Sequence, residues 1–116
     1  MGILMAARIG ELRHRITFQK AELVDDEWGG QIQTWVDKGT VFAKFHYLRG
    51  GEEVMAARLQ AKQPAIITVR SDGVTRQADP SWRIRDAEDA LWNIRAITDP
   101  TGRRAWLEIL AEKGVP

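Results

Sequence analysis

Residues 81–113, SWRIRDAEDALWNIRAITDPTGRRAWLEILAEK, read as three strands of a meander, and they decide the fold class. Trp82 and Ile84 alternate with Arg83 and Arg85, and Asp86 to Asp89 then supply a polar turn. In the second strand Trp92, Ile94 and Ala96 share one face against Asn93 and Arg95, while Leu91 and Ile97 bracket the opposite face. Asp99-Pro100-Thr101-Gly102 is a strong turn: Pro100 presets φ at the second position and Gly102 suits the fourth. The third strand sets Ala105, Leu107, Ile109 and Ala111 on one side, with Trp106, Glu108, Leu110 and Glu112 on the other. Period-two apolar spacing between turn signals predicts a half-buried antiparallel sheet. The second face of the third strand is not cleanly polar, because Trp106 and Leu110 flank Glu108. Such a face is covered either by another strand of its own barrel or by a partner.

Upstream, residues 65–70 (AIITVR) are a β-branched strand, followed by a turn-rich connection over 71–80 that contains Asp72-Gly73. Residues 13–20 (RHRITFQK) put His14, Ile16 and Phe18 on one face, with Arg13, Arg15, Thr17 and Gln19 on the other. Residues 21–30 then read as a polar loop, with Asp25, Asp26 and Glu27 ahead of Trp28-Gly29-Gly30. That acidic triplet lacks the oxygen-ligand spacing of a calcium loop, so solvated loop acids are the reading adopted. Extended structure resumes over 31–37, where Ile32, Thr34 and Val36 alternate with Gln33 and Trp35. Lys38-Gly39 is a turn or bulge, and 41–48 (VFAKFHYL) is the next strand.

Residues 49–62 (RGGEEVMAARLQAK) depart from this pattern. Glu52 and Glu53 suit a helix N-terminus, Arg58 and Lys62 its C-terminal half, and Val54, Met55, Arg58 and Leu59 give a narrow apolar stripe before Pro64. The segment reads as a helix plugging one barrel mouth, or as a mobile element that changes on assembly. Residues 1–12 are an arm of one or two helical turns, or a segment that orders on a neighbour. The expectation is a mainly β protein: one domain over 1–116, a small antiparallel barrel of about six strands, with a short helix or long loop inserted over 49–63.

The chain has 116 residues, 44% of them hydrophobic, including five Trp. A chain this size buries roughly two-thirds of its unfolded surface, so a modest core needs no crosslinks. With no Cys there are no disulfides and no thiolate metal sites. Seventeen basic against sixteen acidic residues leave a net charge of +1. Their interspersed signs disfavour tight general binding to phosphate backbones. The apolar residues at the start fall far short of the ~18 that a membrane span needs.

Catalytic frames are absent from the sequence. No Gly-rich phosphate loop is present, and Ser71 and Ser81 lack a nucleophile-elbow setting. His14 and His46 sit on different strands without a third ligand and read as ordinary barrel histidines. The chain is therefore read as a non-enzyme that needs no cofactor and no metal. Its arginines, among them Arg13, Arg15, Arg83, Arg85, Arg95, Arg103 and Arg104, suit bidentate pairing with acidic neighbours.

Residues 9–19 (IGELRHRITFQ) resemble the opening of the phage head–tail joining proteins, also called head-completion or stopper proteins. The order that follows is similar as well. It comprises an acidic Gly-containing loop (25–30), Thr34-Trp35, a Val-x-Ala strand (41–43), Gly51-Glu52-Glu53, and finally Asp99-Pro100-x-Gly102-Arg103-Arg104 with Trp106-Leu107-Glu108. The resemblance spans about residues 9–112 and rests on order and spacing together. It implies a virion protein, of a phage, a prophage particle or a gene transfer agent, assembled in the bacterial cytoplasm. It further implies a ring of on the order of six or twelve copies beneath the portal and its adaptor. Such a ring closes the channel over packaged double-stranded DNA and offers a docking face to a tail-terminator or tail tube protein. By position, 49–62 is the first candidate for the loop that reaches the channel, through Glu52, Glu53, Val54, Met55 and Arg58; residues 25–35 are the second. Trp28, Trp35, Arg103, Arg104, Trp106 and Leu110 are the candidate subunit or partner contacts. The competing reading is a small β-barrel that binds single-stranded nucleic acid by stacking bases on Trp82, Trp92 and Phe45.

Overall fold

A computed structural model describes residues 12–49, 55, 59, 62–99, 102 and 105–114. Six strands form within it: β1 (His14–Asp25), β2 (Gln31–Tyr47), β3 (Lys62–Arg70), β4 (Arg83–Arg85), β5 (Leu91–Thr98) and β6 (Trp106–Gly114). Each pairs antiparallel with its neighbours, and the order β1-β2-β3-β6-β5-β4 closes as β4 returns to β1. The meander read from residues 81–113 is therefore β4-β5-β6, with β1 and β3 completing the ring on its two flanks.

Alternation does what it predicts over most of the barrel. Ile16, Phe18, Ala43, Ala65, Ile67, Val69, Ile84, Trp92, Ile94, Ile109 and Ala111 point inward and are buried. Trp82 joins them from just ahead of β4, its ring edge-on to Phe18 at 6.4 Å. The connection over 71–82 lies across one end of the barrel. Val74 and Ala78 pack on the core there, and Val74 sits so close to Gly39 of β2 that a Cβ at Gly39 would meet it at 2.9 Å. Asp72 ties this connection down by accepting from the Val74 and Thr75 amides at 2.9 and 2.8 Å, while buried Thr75 donates to the Arg70 carbonyl at 2.9 Å. At the opposite end Trp92 packs against Phe45 and Tyr47, and Phe45 takes the edge of His14 at 5.2 Å.

The strands differ from the sequence reading in four places, each with a physical cause. First, β1 does not stop at Lys20 but runs to Asp25, because Ala21 to Asp25 pair residue by residue with Gln31 to Trp35. The loop is only 26–30. Second, the two expected strands over 31–37 and 41–48 are one strand of 17 residues. The register passes from Phe18↔Gly39 to Gln19↔Asp37, so Lys38 is a bulge that bends β2 without ending it. Third, a register shift at Arg95 exchanges the faces of its successors. Ile97 now opposes Ile109 and packs on the core, whereas Ala96 opposes Leu110 on the outside. Fourth, β3 begins at Lys62 rather than 65, with Pro64 inside it. One step past the Tyr47↔Ala65 pair the Pro64 carbonyl still accepts from Leu48 N at 3.1 Å, and the Leu48 carbonyl, which a Pro64 amide would have met, accepts from Gln63 Nε2 at 3.4 Å.

The polar turn over 86–89 forms as read. Gly102, at φ +70°, donates to the Asp99 carbonyl at 3.3 Å. Asp89 adopts φ +65° in the β4–β5 turn, a left-handed position that Asp tolerates. No helix among the described residues is long and apolar enough to cross a membrane.

Candidate assembly surfaces

The outward surfaces follow from how far each pair of strands extends. Only Thr17 to Gln19 of β1 are held on both sides, by β2 and by β4. Beyond Gln19 the β1–β2 pair continues alone for six residues of β1, an arm of about 20 Å at ~3.3 Å per residue. Its outer part stands in solvent. Leu23 is 67% exposed, Ile32 52% and Trp28, at the tip, 90%.

The arm nevertheless has a firm root and a firm tip. At the root, buried Gln19 donates to Asp37 Oδ1 at 2.7 Å and accepts from Arg83 Nε at 2.7 Å. The Arg83 guanidinium lies over the Trp35 ring at 4.2 Å, in cation–π contact. Burial, and then the neighbouring Arg85 charge, lower the Arg83 pKa. Thr17 and Thr40 hydroxyls bond at 3.0 Å on the same outer face. At the tip, Asp26 Oδ1 accepts from the Trp28 and Gly30 amides, both at 2.8 Å, and Asp26 N donates to the Gly30 carbonyl. Gly29 at φ +83° allows the reversal. The tip therefore presents Trp28 from a defined turn, with the carboxylates of Asp25 and Glu27 beside it.

A second surface runs around the barrel exterior. The registers set Arg15 opposite Phe42 and Arg70 opposite Trp106, and one further step of the β2–β3 register places Phe42 beside Arg70. Four adjacent strands thus carry the outward row Arg15–Phe42–Arg70–Trp106. Arg15 lies over the Phe42 ring at 5.9 Å, and Phe42 is 54% exposed. Beside it an open hollow of about 350 Å³ is lined by Leu12, Val41, Phe42, Arg70 and Asp72. Lower on the same exterior, Leu110 joins Ile66 and Ala96 around a smaller hollow of about 120 Å³.

The contact residues expected from sequence are therefore dispersed. Trp28 is at the arm tip, Trp35 at the arm root beneath Arg83, and Trp106 and Leu110 on the outer face of β6. Arg103 and Arg104 lie outside the described residues, as do Glu52, Glu53, Val54 and Arg58 of the channel-loop candidates. Met55 is helical and exposed, like Leu59. Sequence reasoning missed Phe42, which it placed within the strand over 41–48 without a role of its own, and it missed the arm itself. Among the described residues no cluster of three His, Asp or Glu could hold a metal ion.

Among the carboxylates held low by their surroundings, Asp86 is the one bonded to a buried indole. Burial would raise Asp86, but hydrogen bonds from the Trp92 indole at 3.0 Å and from the Ala90 and Glu88 amides outweigh it. The Lys113 charge acts in the same direction, and its ammonium lies 5.3 Å from the Trp92 ring centre. Asp86 is therefore a structural anchor of the β4–β5 turn.

The family model of the phage head completion proteins matches residues 7–114. The chain belongs to that family. It is thus a structural protein of the head of a phage or phage-like particle, and its place is the virion. Its fold is similar to a chain in the virion of a native gene transfer agent particle, at TM-score 0.65 and 25% identity over 95% of this chain and 98% of that one. It is also similar to the solution structure of protein SF1141 from Shigella flexneri 2a, at TM-score 0.67 and 25% identity over 94% and 98%. No curated protein matches it by sequence.

Proposed function

We propose that this head completion protein assembles as a ring between the portal with its adaptor and the tail, closes the channel over packaged DNA, and presents the surface on which the tail docks. The observation that carries this reading is the match to the family over nearly the whole chain, together with the likeness to a subunit-sized chain in a gene transfer agent virion. The physics is compatible. A channel through which double-stranded DNA must slide should not grip phosphates, since each neutralised phosphate adds salt-dependent affinity. A net charge of +1 meets that requirement. Segment 49–62 remains the first candidate for the channel loop, and the 26–30 tip, now at the end of an arm, the second.

The single-stranded nucleic-acid reading loses its stacking platform. Trp82 and Trp92 are 5% and 0% exposed, so neither ring can receive a base.

Negative-stain imaging of the protein mixed with portal and adaptor tests the proposal. The expected image is an added ring coaxial with the portal. Particles made without the protein should lose packaged DNA to nuclease and carry no tails. Sealed, tailed and infectious or transducing particles lacking this chain would overturn the reading.

A further inference from the structure

The arm tip and the barrel-side row are chemically complementary and lie on different parts of one chain. The tip offers a 90% exposed indole flanked by the acids of 25–27. The row offers two guanidiniums, two aromatic rings and an apolar hollow beside exposed Phe42. We propose that the Trp28 tip of one copy docks on the Arg15–Phe42–Arg70–Trp106 row of a second copy, with Trp28 in the hollow against Phe42 and the tip acids on Arg15 and Arg70. This rests on the ring assembly proposed above and names its contact.

The tip cannot reach the row of its own chain. The arm leaves the barrel beyond Gln19 and Asp37, while Phe42 lies on the other side of the Lys38 bulge, within the barrel wall. A firm turn and a clamped root leave little ordering entropy to lose on docking, which favours a preorganised contact. The occupant is a short acidic segment rather than a polyanion for a local reason. Asp72 lines the hollow, and Glu108 shares an outer face with Trp106 on β6. They confine the positive charge of the row to Arg15 and Arg70, enough for two carboxylates and too little for a continuous phosphate chain. Because tip and row are different surfaces, the contact is head-to-tail, the type that closes into rings when the rotation allows.

The chain has no Cys, so paired cysteines report this contact without background. Glu27→Cys marks the tip and leaves Trp28 in place. Gly73→Cys marks the rim of the hollow beside Asp72, where a Cβ meets nothing within 4 Å. The two single variants are mixed in equal amounts and oxidised gently. A disulfide needs Cα atoms within about 7 Å, so seated tips should give a mixed disulfide well above the half expected from random pairing. Arg70→Glu in the Gly73→Cys partner, or Trp28→Ala in the Glu27→Cys partner, should return the yield to that random share. A random share from the start, insensitive to either change, overturns the proposal. So does a random share accompanied by protection of the row by oligothymidylate, which would assign the row to nucleic acid. Rings that form on the portal without the selective disulfide overturn the docking and leave the ring standing. A selective disulfide in open-ended chains supports the docking and overturns the ring.

Discussion

β1 is two regions in one strand. Over 14–19 it lies in the barrel wall, and Ile16, Thr17, Phe18 and Gln19 are all buried. Over 20–25 it keeps the same partner, β2, yet Leu23 and Val24 stand in solvent. Residue type does not separate the halves, since Leu23 is as apolar as Ile16. The difference is β4, which pairs with Thr17 to Gln19 and reaches no further. Burial in this protein is set by closure of the ring, and where the ring ends the chain still builds a strand pair with apolar residues on it. An exposed apolar ribbon with a clamped root is poorly explained as a by-product of folding and well explained as a contact surface.

The barrel and the arm each carry a tryptophan at an extreme of exposure, 0% for Trp92 and 90% for Trp28. Trp92→Ala should give the largest effect of any single truncation. It empties the barrel beneath Phe45 and Tyr47, removes the ring under Lys113 and leaves Asp86 without its indole donor. The expected loss is about 3–5 kcal/mol by urea unfolding. A loss below about 1 kcal/mol would mean that the barrel core is not the seat of stability.

Asp86→Asn sharpens the same side of the comparison with a smaller effect, about 1–3 kcal/mol at neutral pH, since one buried donor loses its partner. The sign of its pH dependence is fixed by its depressed folded-state pKa. The stabilisation is fully present above the unfolded-state pKa of about 3.9 and disappears as pH falls through the lower folded value. Wild type and Asp86→Asn should therefore differ at pH 7 and converge in acid. Asp79, held low by its Ser81 hydrogen bonds, and Glu22, held low by Lys38, add acid sensitivity to both proteins alike. Parallel unfolding midpoints from pH 7 to pH 2 would show that Asp86 carries no such linkage.

What the sequence made legible follows the same division. The meander could be read because ring closure buries one face of each strand, and that imposes period two on Trp92, Ile94, Ile109 and Ala111. The arm could not, because its outer half is wet on both faces and places no such demand. Leu23 and Val24 fell beside three acids and two glycines and read as loop. The signal that would have found it is symmetry: pairable residues run back from both sides of Gly29-Gly30. Bulges hid the rest, since Lys38 split β2 into two apparent strands and Arg95 reversed Ala96 and Ile97. Trp28 and Trp106 were legible as aromatics lacking an obvious inward place. Phe42 was not, because its neighbours Arg15 and Arg70 are assembled by the register of three strands, which no local pattern encodes.

Trp28→Ala should have the smallest effect on the fold and so puts the comparison to its strictest use. The side chain touches nothing that the barrel needs: the turn is held by the Trp28 amide and the Asp26 carboxylate, both retained in the variant. Stability should therefore stay within about 0.5 kcal/mol of wild type, in the range of ordinary surface substitutions. Assembly on the portal should nevertheless weaken, because a tryptophan lost from a contact is among the changes that cost binding most. A clear fall in the unfolding midpoint would mean that the arm packs on its own barrel after all. The same residue type would then be serving one region instead of two, and the ribbon would need no partner to account for it.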